Sequence, residues 1–501
     1  MRTRLYLYAL PVALVILTPF LCGQDSSAGK VTVDWKTIKG HSKTILSIQD
    51  CPEPPIMRGH AIHDQAYAAL RSLHMDYARL QPWYPYPNLG VAELEPPSAG
   101  HTHWDFKYMD PMVLDFYNAA EGRPVVFSFS TIPAWMIHTD APVSYPSDPD
   151  AIDFKYSQGT ELRDPSLKEL VEYYRRLYDW YTNGGFQDES GIFHKSGHHL
   201  RSAYWEVLNE IDAEHKWSPE EYTHIYDAIV TSLRSTNPDQ KFIGLALTNP
   251  VDKDHDRYFE YFLDPKNHAP GIPLDMISYH YYVGVQPEDN QNDLQNIFFK
   301  RADVLIDAVK KVEAVRKRLS PTTKTYIDEL GTMWMNGEKG DNPAIPDHYW
   351  TLSSSVFAYM YLGLVRKGVD IVGAAELIDY PGQFAGTTLL DWNTGRPNAR
   401  FLVTELLHKT IKPGDAIHPT LSTSPSVEGQ AFSSARGRVL VLVNKTDSKI
   451  TLNLPGAAGA TFTSVDQTTN SSAPSRSLIK ADSISLEPQA TAVLFWPRHS
   501  K

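Results

Sequence analysis

Two glutamates stand at widely separated points of the chain, each where an apolar strand candidate ends. The segment 205–209 (WEVLN) leads into Glu210, and the segment 326–328 (YID) leads into Glu329. A lone glutamate at a strand end usually forms an ion pair or a helix cap, but two at corresponding strand ends are a more specific pattern. On strands four and seven of one parallel barrel they would face each other. One could then donate a proton while the other acts as a nucleophile.

Two carboxyl groups on either side of one bond are the arrangement that hydrolyses a glycosidic bond. The spacing between them predicts the stereochemical outcome. A gap of about 5–5.5 Å allows direct attack and retention of configuration, whereas about 6.5–9.5 Å leaves room for a water molecule and gives inversion.

A third motif, His280 and Tyr282, ends a strand candidate that lies between the two glutamate strands. Alternate residues of a strand point to the same side, so His280 and Tyr282 are expected to face the same space. Tyr282 could donate a hydrogen bond to Glu329 and keep that carboxylate ionised, and His280 could contact a sugar hydroxyl.

The elements that must position these residues alternate between short apolar strands and amphipathic helices over residues 64–398, which predicts βα units. Strand candidates cover residues 75–80, 124–130, 203–208, 241–247, 275–279, 324–327 and 369–375, with one more expected near residues 45–49 or at His60. Helix candidates cover residues 64–73, 167–182, 218–235, 298–319 and 350–367, the third with Ser218 as N-cap before Pro219. Eight such units close into a (β/α)₈ TIM barrel, with the active site at the C-terminal strand ends.

Three segments lie outside this pattern and predict a leader and an accessory domain. Residues 411–501 contain short alternating strands rich in Ser, Thr and Val, which indicate an antiparallel β-sandwich accessory domain. Strands within residues 30–50 are expected to join it, which leaves residues 51–410 as the catalytic barrel. Residues 1–23 have the basic start and apolar run of a signal peptide, so a secreted or periplasmic protein is expected. An uncleaved anchor is the alternative, but the run barely reaches spanning length and contains Pro11 and Pro19.

The composition excludes several classes of function. The 501 residues carry 47 Lys and Arg against 59 Asp and Glu, a net charge of −12, so no basic face for nucleic acid or an anionic membrane is expected. Cys22 lies in the leader and Cys51 is then alone, so no intrachain disulfide is expected. The loop histidines His194, His198 and His199 lack metal-site spacing, and no phosphate-binding loop is present, so neither a metal nor a cofactor is expected.

These motifs resemble clan A of the glycoside hydrolases, and most closely family 39, which contains β-xylosidases and α-L-iduronidases. The resemblance covers residues 59–407 and is best over residues 205–210 and 217–222. It implies that Glu210 is the acid/base, that Asn209 binds the sugar 2-hydroxyl and that Glu329 is the nucleophile. It also implies that His280 and Tyr282 line the subsite for the cleaved sugar.

Three positions depart from the family pattern. Gln81 stands where the family's xylosidases have a histidine, residues 379–383 lack the acidic pair associated with xylose recognition, and Ile211 replaces the usual proline after Glu210. Candidate substrate contacts are therefore Gln81 and Gln383, together with Trp83 and Trp334, whose rings could stack on a sugar.

The resemblance implies a retaining O-glycosyl hydrolase that acts by double displacement without a cofactor. Its expected partner is an oligosaccharide or glycoside, cleaved in an exo-acting, β-xylosidase-like manner from plant or microbial material. Two alternatives stay open: a clan A endo-glycanase with an open cleft, and a non-catalytic carbohydrate-binding protein on the same fold. Long insertions at residues 88–103 and 137–158 favour a pocket over a cleft.

Overall fold

The computed structural model describes residues 29–98, 101–141, 143–154, 156, 159–286, 288–334, 345–379 and 385–498. The proposed leader at residues 1–23 and Gln383 lie outside the described residues. Eight parallel strands form a closed barrel in which each strand pairs with the next in chain order. They are β1 (Ile45–Asp50), β2 (Ala78–Leu80), β3 (Val125–Phe127), β4 (Ser202–Glu206), β5 (Phe242–Leu247), β6 (Met276–Gly284), β7 (Lys324–Met333) and β8 (Ile371–Ala374). The predicted TIM barrel is therefore confirmed.

Helices follow the barrel strands. The described ones are His63–Leu73, Pro87–Gly90, Met109–Ala119, Lys168–Thr182, Pro219–Thr236, His255–Phe262, Leu294–Leu319, Asp347–Lys367 and Ala399–Thr410. Ser218 caps the fifth of these in a capping box with Glu221, as its sequence predicts. The helix Met109–Ala119 was not predicted, because Pro111 interrupts its pattern. Proline is tolerated in a first turn, where its missing N–H has no helical acceptor. Within the described residues, no helix combines the length and the apolar character needed to cross a bilayer.

The remaining large sheets form the predicted β-sandwich. A seven-stranded sheet contains Gly40–His41, Ala416–His418, Val427–Ser434, Gly437–Asn444, Thr461–Val465, Ser475–Leu478 and Thr491–Pro497. A four-stranded sheet contains Gly29–Val33, Thr420–Ser422, Ile450–Asn453 and Ser483–Leu486. The first two strands of the chain, Gly29–Val33 and Gly40–His41, thus pair with C-terminal strands as expected. The third strand, Ile45–Asp50, is instead β1 of the barrel. The barrel begins at Ile45, because this apolar strand pairs with β8 and β2.

The interior of the barrel changes from apolar to polar toward its C-terminal end. The apolar layer contains Val126, Tyr204, Ile243, Met276, Tyr326 and Ile371. Two residues further along their strands, Glu206, Ser278 and Asp328 are fully buried around Arg79 of β2. Arg79 Nε donates to Glu206 Oε2 at 2.6 Å and lies 3.2 Å from Asp328 Oδ2. Removal of one partner from such a buried ionic group typically costs about 3–5 kcal/mol, so these side chains fix each other.

Strand β7 contains a β-bulge at its acidic residues. The pairing register between β6 and β7 shifts just before His280, which pairs with Glu329, so Asp328 is the additional residue. A regular strand would point Asp328 and Glu329 to opposite faces. The bulge instead lets both reach Arg79, at 3.2 and 2.8 Å. It therefore turns Glu329 into the barrel.

Gly373 of β8 lies against this bulge. A Cβ atom at Gly373 would lie 2.3 Å from the carbonyl oxygen of Asp328. We expect Gly373→Ala to lower the free energy of unfolding by about 2–3 kcal/mol, measured by urea denaturation, because the backbone of the bulge must move. Gly284→Ala is the matched control, since its Cβ would meet Met333 Cβ at an ordinary 3.6 Å. Equal losses in both variants would contradict the steric explanation.

Candidate active site

A cavity of about 480 Å³ opens at the C-terminal ends of the barrel strands. Six residues expected at the site line it: Gln81, Trp83, Asn209, Glu210, Tyr282 and Glu329. The other described lining residues are Cys51, Thr248, Asn249, Val251, Tyr281, Met333, Glu376 and Thr387. Its volume lies within the range of about 300–1,000 Å³ that is usual for small-molecule sites.

Glu210 is positioned by the loop that leaves β4. Leu208 and Glu210 have positive φ angles of 69° and 39°, conformations that non-glycine residues adopt at a cost of order 1–3 kcal/mol each. The Glu210 N–H donates to the Ala246 carbonyl at 2.8 Å, which ties this strained loop to β5. The Glu210 side chain is 27% exposed, so its carboxyl lies at the cavity surface.

The Glu329 carboxylate accepts hydrogen bonds from two side chains on the barrel side of the cavity. Arg79 Nη1 donates to Glu329 Oε1 at 2.8 Å, and the Tyr282 hydroxyl donates to Oε2 at 2.9 Å. The hydrogen bond expected between Tyr282 and Glu329 is therefore present. Because both oxygens are bonded in fixed directions, the Glu329 carboxylate has a defined orientation at the cavity wall.

His280 lies between the two glutamates. Its Nδ1 is 2.9 Å from Glu210 Oε1 and 3.3 Å from Glu329 Oε2. Carboxylate oxygens of Glu210 and Glu329 lie within 4.8 Å of each other. His280 is fully buried and is not among the described residues that line the cavity. It therefore contacts the two carboxylates and does not face the cavity itself.

Burial and neighbouring charges shift the pKa values of His280 and Glu210. Burial opposes a charge on His280, but the carboxylates of Glu329 and Asp328 outweigh it and raise its pKa well above the ordinary value. Burial raises the pKa of Glu210, although the hydrogen bond from His280 lowers it. A raised pKa favours the protonated form of Glu210 up to a higher pH than for an ordinary glutamate.

Glu210, His280 and Glu329 also form the one group of described residues whose donor atoms are close enough to share a metal ion. The raised pKa of His280 favours its protonated form. Both Glu329 oxygens already accept hydrogen bonds from Arg79 and Tyr282, and His280 Nδ1 contacts Glu210, so we interpret the group as hydrogen-bonded side chains.

Asn209 is fixed on both sides of its amide. Its Oδ1 accepts from Arg79 Nη2 at 2.8 Å, and its Nδ2 donates to Glu214 Oε1 at 3.2 Å. Burial and the charge of Glu210 raise the pKa of Glu214 well above its usual value. Arg79 thus contacts both Asn209 and Glu329, and it links strands β2, β4 and β7 beneath the cavity.

The opposite side of the cavity floor is built from Cys51, Gln81 and Glu376. The Cys51 thiol donates to Gln81 Oε1 at 2.9 Å, and the Cys51 N–H donates to Glu376 Oε1 at 2.9 Å. Burial and the charge of Glu376 raise the pKa of Cys51 well above its ordinary value, so the thiol stays protonated.

The sequence analysis missed Arg79, Glu214, Cys51 and Glu376. A signal existed for Glu376, because it follows a strand candidate as Glu210 does. No local signal marks Arg79, since its role depends on carboxylates from three other strands.

Trp334 and His280 were expected to contact the substrate, but neither is among the described residues that line the cavity. Trp334 packs edge-to-face on Tyr349 at a ring distance of 5.3 Å and is not among the described lining residues. The reason is the turn of the chain after β7, where the backbone N–H of Trp334 donates to the backbone carbonyl of Ala385 at 2.7 Å. Gln383 lies outside the described residues.

Tyr282 offers a test of how Glu329 is oriented. We expect Tyr282→Phe to lower kcat for an aryl glycoside about 10- to 100-fold, because one of the two donors to Glu329 is lost. Tyr279→Phe on the same strand is the control. The Tyr279 hydroxyl is buried with no hydrogen-bond partner in the described structure, and its ring packs on Phe259 outside the barrel. Steady-state kinetics with an unchanged kcat for Tyr282→Phe would contradict the assignment.

A scan against protein-family models and a search of curated proteins gave no match to this chain. Solved structures do match. A family 30 endoxylanase from Clostridium papyrosolvens has a TM-score of 0.53 at 14% identity, with 94% of this chain and 100% of that chain covered. A family 51 arabinofuranosidase from Xanthomonas axonopodis pv. citri has a TM-score of 0.60 at 14% identity, with 93% and 99% covered.

A family 51 α-L-arabinofuranosidase from Bifidobacterium longum has a TM-score of 0.64 at 10% identity, with 94% of this chain and 99% of that chain covered. At such identities the likeness establishes structure only. The chain has the fold of the glycoside hydrolases of families 30 and 51.

Proposed function

We propose that the chain is a retaining glycoside hydrolase of clan A, with Glu329 as nucleophile and Glu210 as acid/base. The observation that carries the proposal is the approach of their carboxylate oxygens to within 4.8 Å at one cavity. Retaining sites place the two carboxyl groups about 5–5.5 Å apart, whereas inverting sites need about 6.5–9.5 Å. The short spacing supports direct attack by Glu329.

In the first step, a Glu329 oxygen forms a bond to the anomeric carbon while the bond from that carbon to the leaving oxygen breaks. Glu210 transfers its proton to the leaving oxygen, so the first product departs as a neutral alcohol. Arg79 and Tyr282 hold the attacking carboxylate in place. The positive charge of His280 stabilises the carboxylate that forms on Glu210.

In the second step, the Glu210 carboxylate takes a proton from water as the water oxygen bonds to the anomeric carbon. The ester bond to Glu329 breaks, which regenerates both carboxyl groups in their starting protonation states. Two displacements on opposite faces of the sugar give overall retention.

We infer that the enzyme is exo-acting on oligosaccharides, in the manner of β-xylosidases. The cavity of about 480 Å³ supports a site for a short saccharide, and Trp83 provides an aromatic surface in its wall. In this proposal residues 1–23 direct export, the barrel carries catalysis and residues 411–501 form an accessory domain.

The test is a panel of aryl xylosides, arabinosides, glucosides and galactosides, with proton NMR of the first sugar released. We expect hydrolysis of at least one substrate with the anomeric configuration of the product unchanged. Inverted product would overturn the mechanism. Internal cleavage of polysaccharide in preference to short substrates would favour an endo-glycanase, and saccharide binding without any hydrolysis would favour a binding protein.

A further inference from the structure

A second cavity lies against the helix Lys168–Thr182, apart from the catalytic cavity. Its volume is also about 480 Å³, and none of its described lining residues lines the catalytic cavity. The loops that follow β2 and β3 form the rest of its described walls. This second cavity takes no part in the two displacement steps, so its polar and aromatic lining needs another explanation.

Glu93 places a buried carboxyl group at the second cavity. The residue is 1% exposed and lies in the insertion at residues 88–103. Its Oε1 accepts only a long hydrogen bond, from the His103 N–H at 3.5 Å, and no described residue donates to Oε2. Burial and the charge of Glu189 raise the pKa of Glu93 to about 8, so the protonated form prevails at neutral pH. Because buried carboxyl oxygens are normally hydrogen-bonded, Oε2 is available to a ligand.

Trp135 provides an aromatic surface in the wall of the second cavity. The residue is half-buried, and its indole N–H donates to the backbone carbonyl of Glu93 at 2.9 Å. The guanidinium of Arg163 lies 4.9 Å from the centre of the indole ring. These two contacts fix the ring beside the Glu93 carboxyl. A fixed flat ring next to hydrogen-bonding groups suits stacking of a sugar ring.

Most charged side chains at the second cavity are paired with one another. Glu169 pairs with Arg163 at 2.8 Å. Arg176 pairs with Glu172 at 3.4 Å and also with Glu189. A carboxylate whose charge is already balanced by a guanidinium exerts little net attraction on an ionic ligand. The paired charges therefore favour an uncharged ligand.

Asp164 and Lys168 are the remaining charged side chains in the described lining, and their signs are opposite. Asp164 Oδ1 accepts from the Ser166 hydroxyl at 2.6 Å. The exposed ammonium of Lys168 has no hydrogen-bond or ion-pair partner in the described structure, so it can donate to a ligand. Together with a protonated Glu93, these groups offer both donors and acceptors. Hydroxyl groups also donate and accept, so a ligand with several hydroxyls fits this lining.

We propose that the second cavity is a non-catalytic binding site for an uncharged oligosaccharide, with Trp135 stacked on a sugar ring and Glu93 hydrogen-bonded to a hydroxyl. The choice of a saccharide as ligand rests in part on the proposed function. The geometry that carries the site is the contact between Trp135 and the Glu93 backbone, the available Oε2 of Glu93 and the paired charges around them. The chain then has one saccharide site that cleaves and another that only binds.

Titration calorimetry on the full-length Glu329→Gln protein tests this site without cleavage of the probe. The uncharged probes are xylotetraose, arabinotetraose and cellotetraose, and the charged probes are spermidine and glucuronate. We expect at least one tetrasaccharide to bind about tenfold or more tightly than either charged probe. Adding Trp135→Ala should lower the number of bound tetrasaccharides per chain by one, because the stacking surface is lost. Adding Lys168→Ala, at an exposed residue that does not support the fold, should weaken the same binding event about threefold or more.

Trp392→Ala is the matched control, since Trp392 is also half-buried but is not among the described residues that line either cavity. It should leave the number of bound tetrasaccharides unchanged, and thermal unfolding checks that each variant is folded.

Three results would overturn the inference: an unchanged number of bound tetrasaccharides in Trp135→Ala, an unchanged affinity in Lys168→Ala, or tighter binding of a charged probe than of every tetrasaccharide. Binding that depends on Trp135, without hydrolysis of any glycoside by wild type, would overturn only the proposed function. Hydrolysis by wild type, with tetrasaccharide binding that is independent of Trp135, would overturn only the second site.

Discussion

Replacing Glu329 with alanine is expected to lower kcat for an aryl glycoside by about 10⁴-fold or more. The reason is that no other described carboxylate combines the position of Glu329 at the cavity wall with donors to both of its oxygens. Steady-state kinetics measures the loss, and thermal unfolding checks that the variant is folded, because Arg79 loses a buried partner in it.

Rescue of activity by azide distinguishes the loss of a nucleophile from the loss of another catalytic group. In Glu329→Ala the small anion can occupy the vacated space and attack the anomeric carbon directly, which gives a glycosyl azide of inverted configuration. Glu329→Gln fills that space, so azide should not rescue it. Activity of Glu329→Ala within tenfold of wild type, or rescue that yields the retained azide, would remove Glu329 from its proposed role.

Replacing Glu210 with alanine is expected to have a different signature. For a substrate with a poor leaving group, kcat/KM should fall about 10³-fold or more, because the leaving oxygen departs without a proton. For an activated aryl glycoside the first step needs little acid help, so a covalent intermediate should accumulate. Azide should then attack that intermediate and release a glycosyl azide of retained configuration.

The pH dependence follows from the raised pKa of Glu210. Glu210 must be protonated in the first step, so kcat/KM of wild type falls as the pH rises through that raised pKa. Glu210→Gln cannot lose this proton, and its alkaline limb on an activated substrate should be absent. A limb that persists unchanged in Glu210→Gln would assign the titration to another group.

Glu214→Gln is the matched control, since Glu214 is a carboxyl on the same loop that contacts Asn209. Its effect should be smaller and the same for good and poor leaving groups. A stronger dependence on the leaving group in Glu214→Gln than in Glu210→Gln would reverse the assignment.

The barrel could be predicted because its cause is local. Strand and helix periodicity depends on residues close together in the sequence, so both glutamates could be assigned to their strands. Glu210 follows β4 as expected, whereas β7 continues past Glu329 to Met333. The alternation of His280 and Tyr282 was equally predictable, and both face the barrel interior in the structure. What they meet there was not predictable, because Tyr282 contacts Glu329 47 residues away and His280 contacts Glu210 70 residues away.

The sequence by itself determined the barrel, the sandwich and the two strands, β4 and β7, with which the glutamates are associated. Only the tertiary structure decided that a bulge turns Glu329 inward beside Asp328, that Arg79 links them from beneath the cavity, and that Trp334 packs on a helix residue. The physical reason is the distance along the sequence over which each interaction acts. Periodicity and capping act within a few residues. Register shifts, the pairing of buried charges and the lining of the cavity depend on segments of the chain that meet only after the barrel has closed.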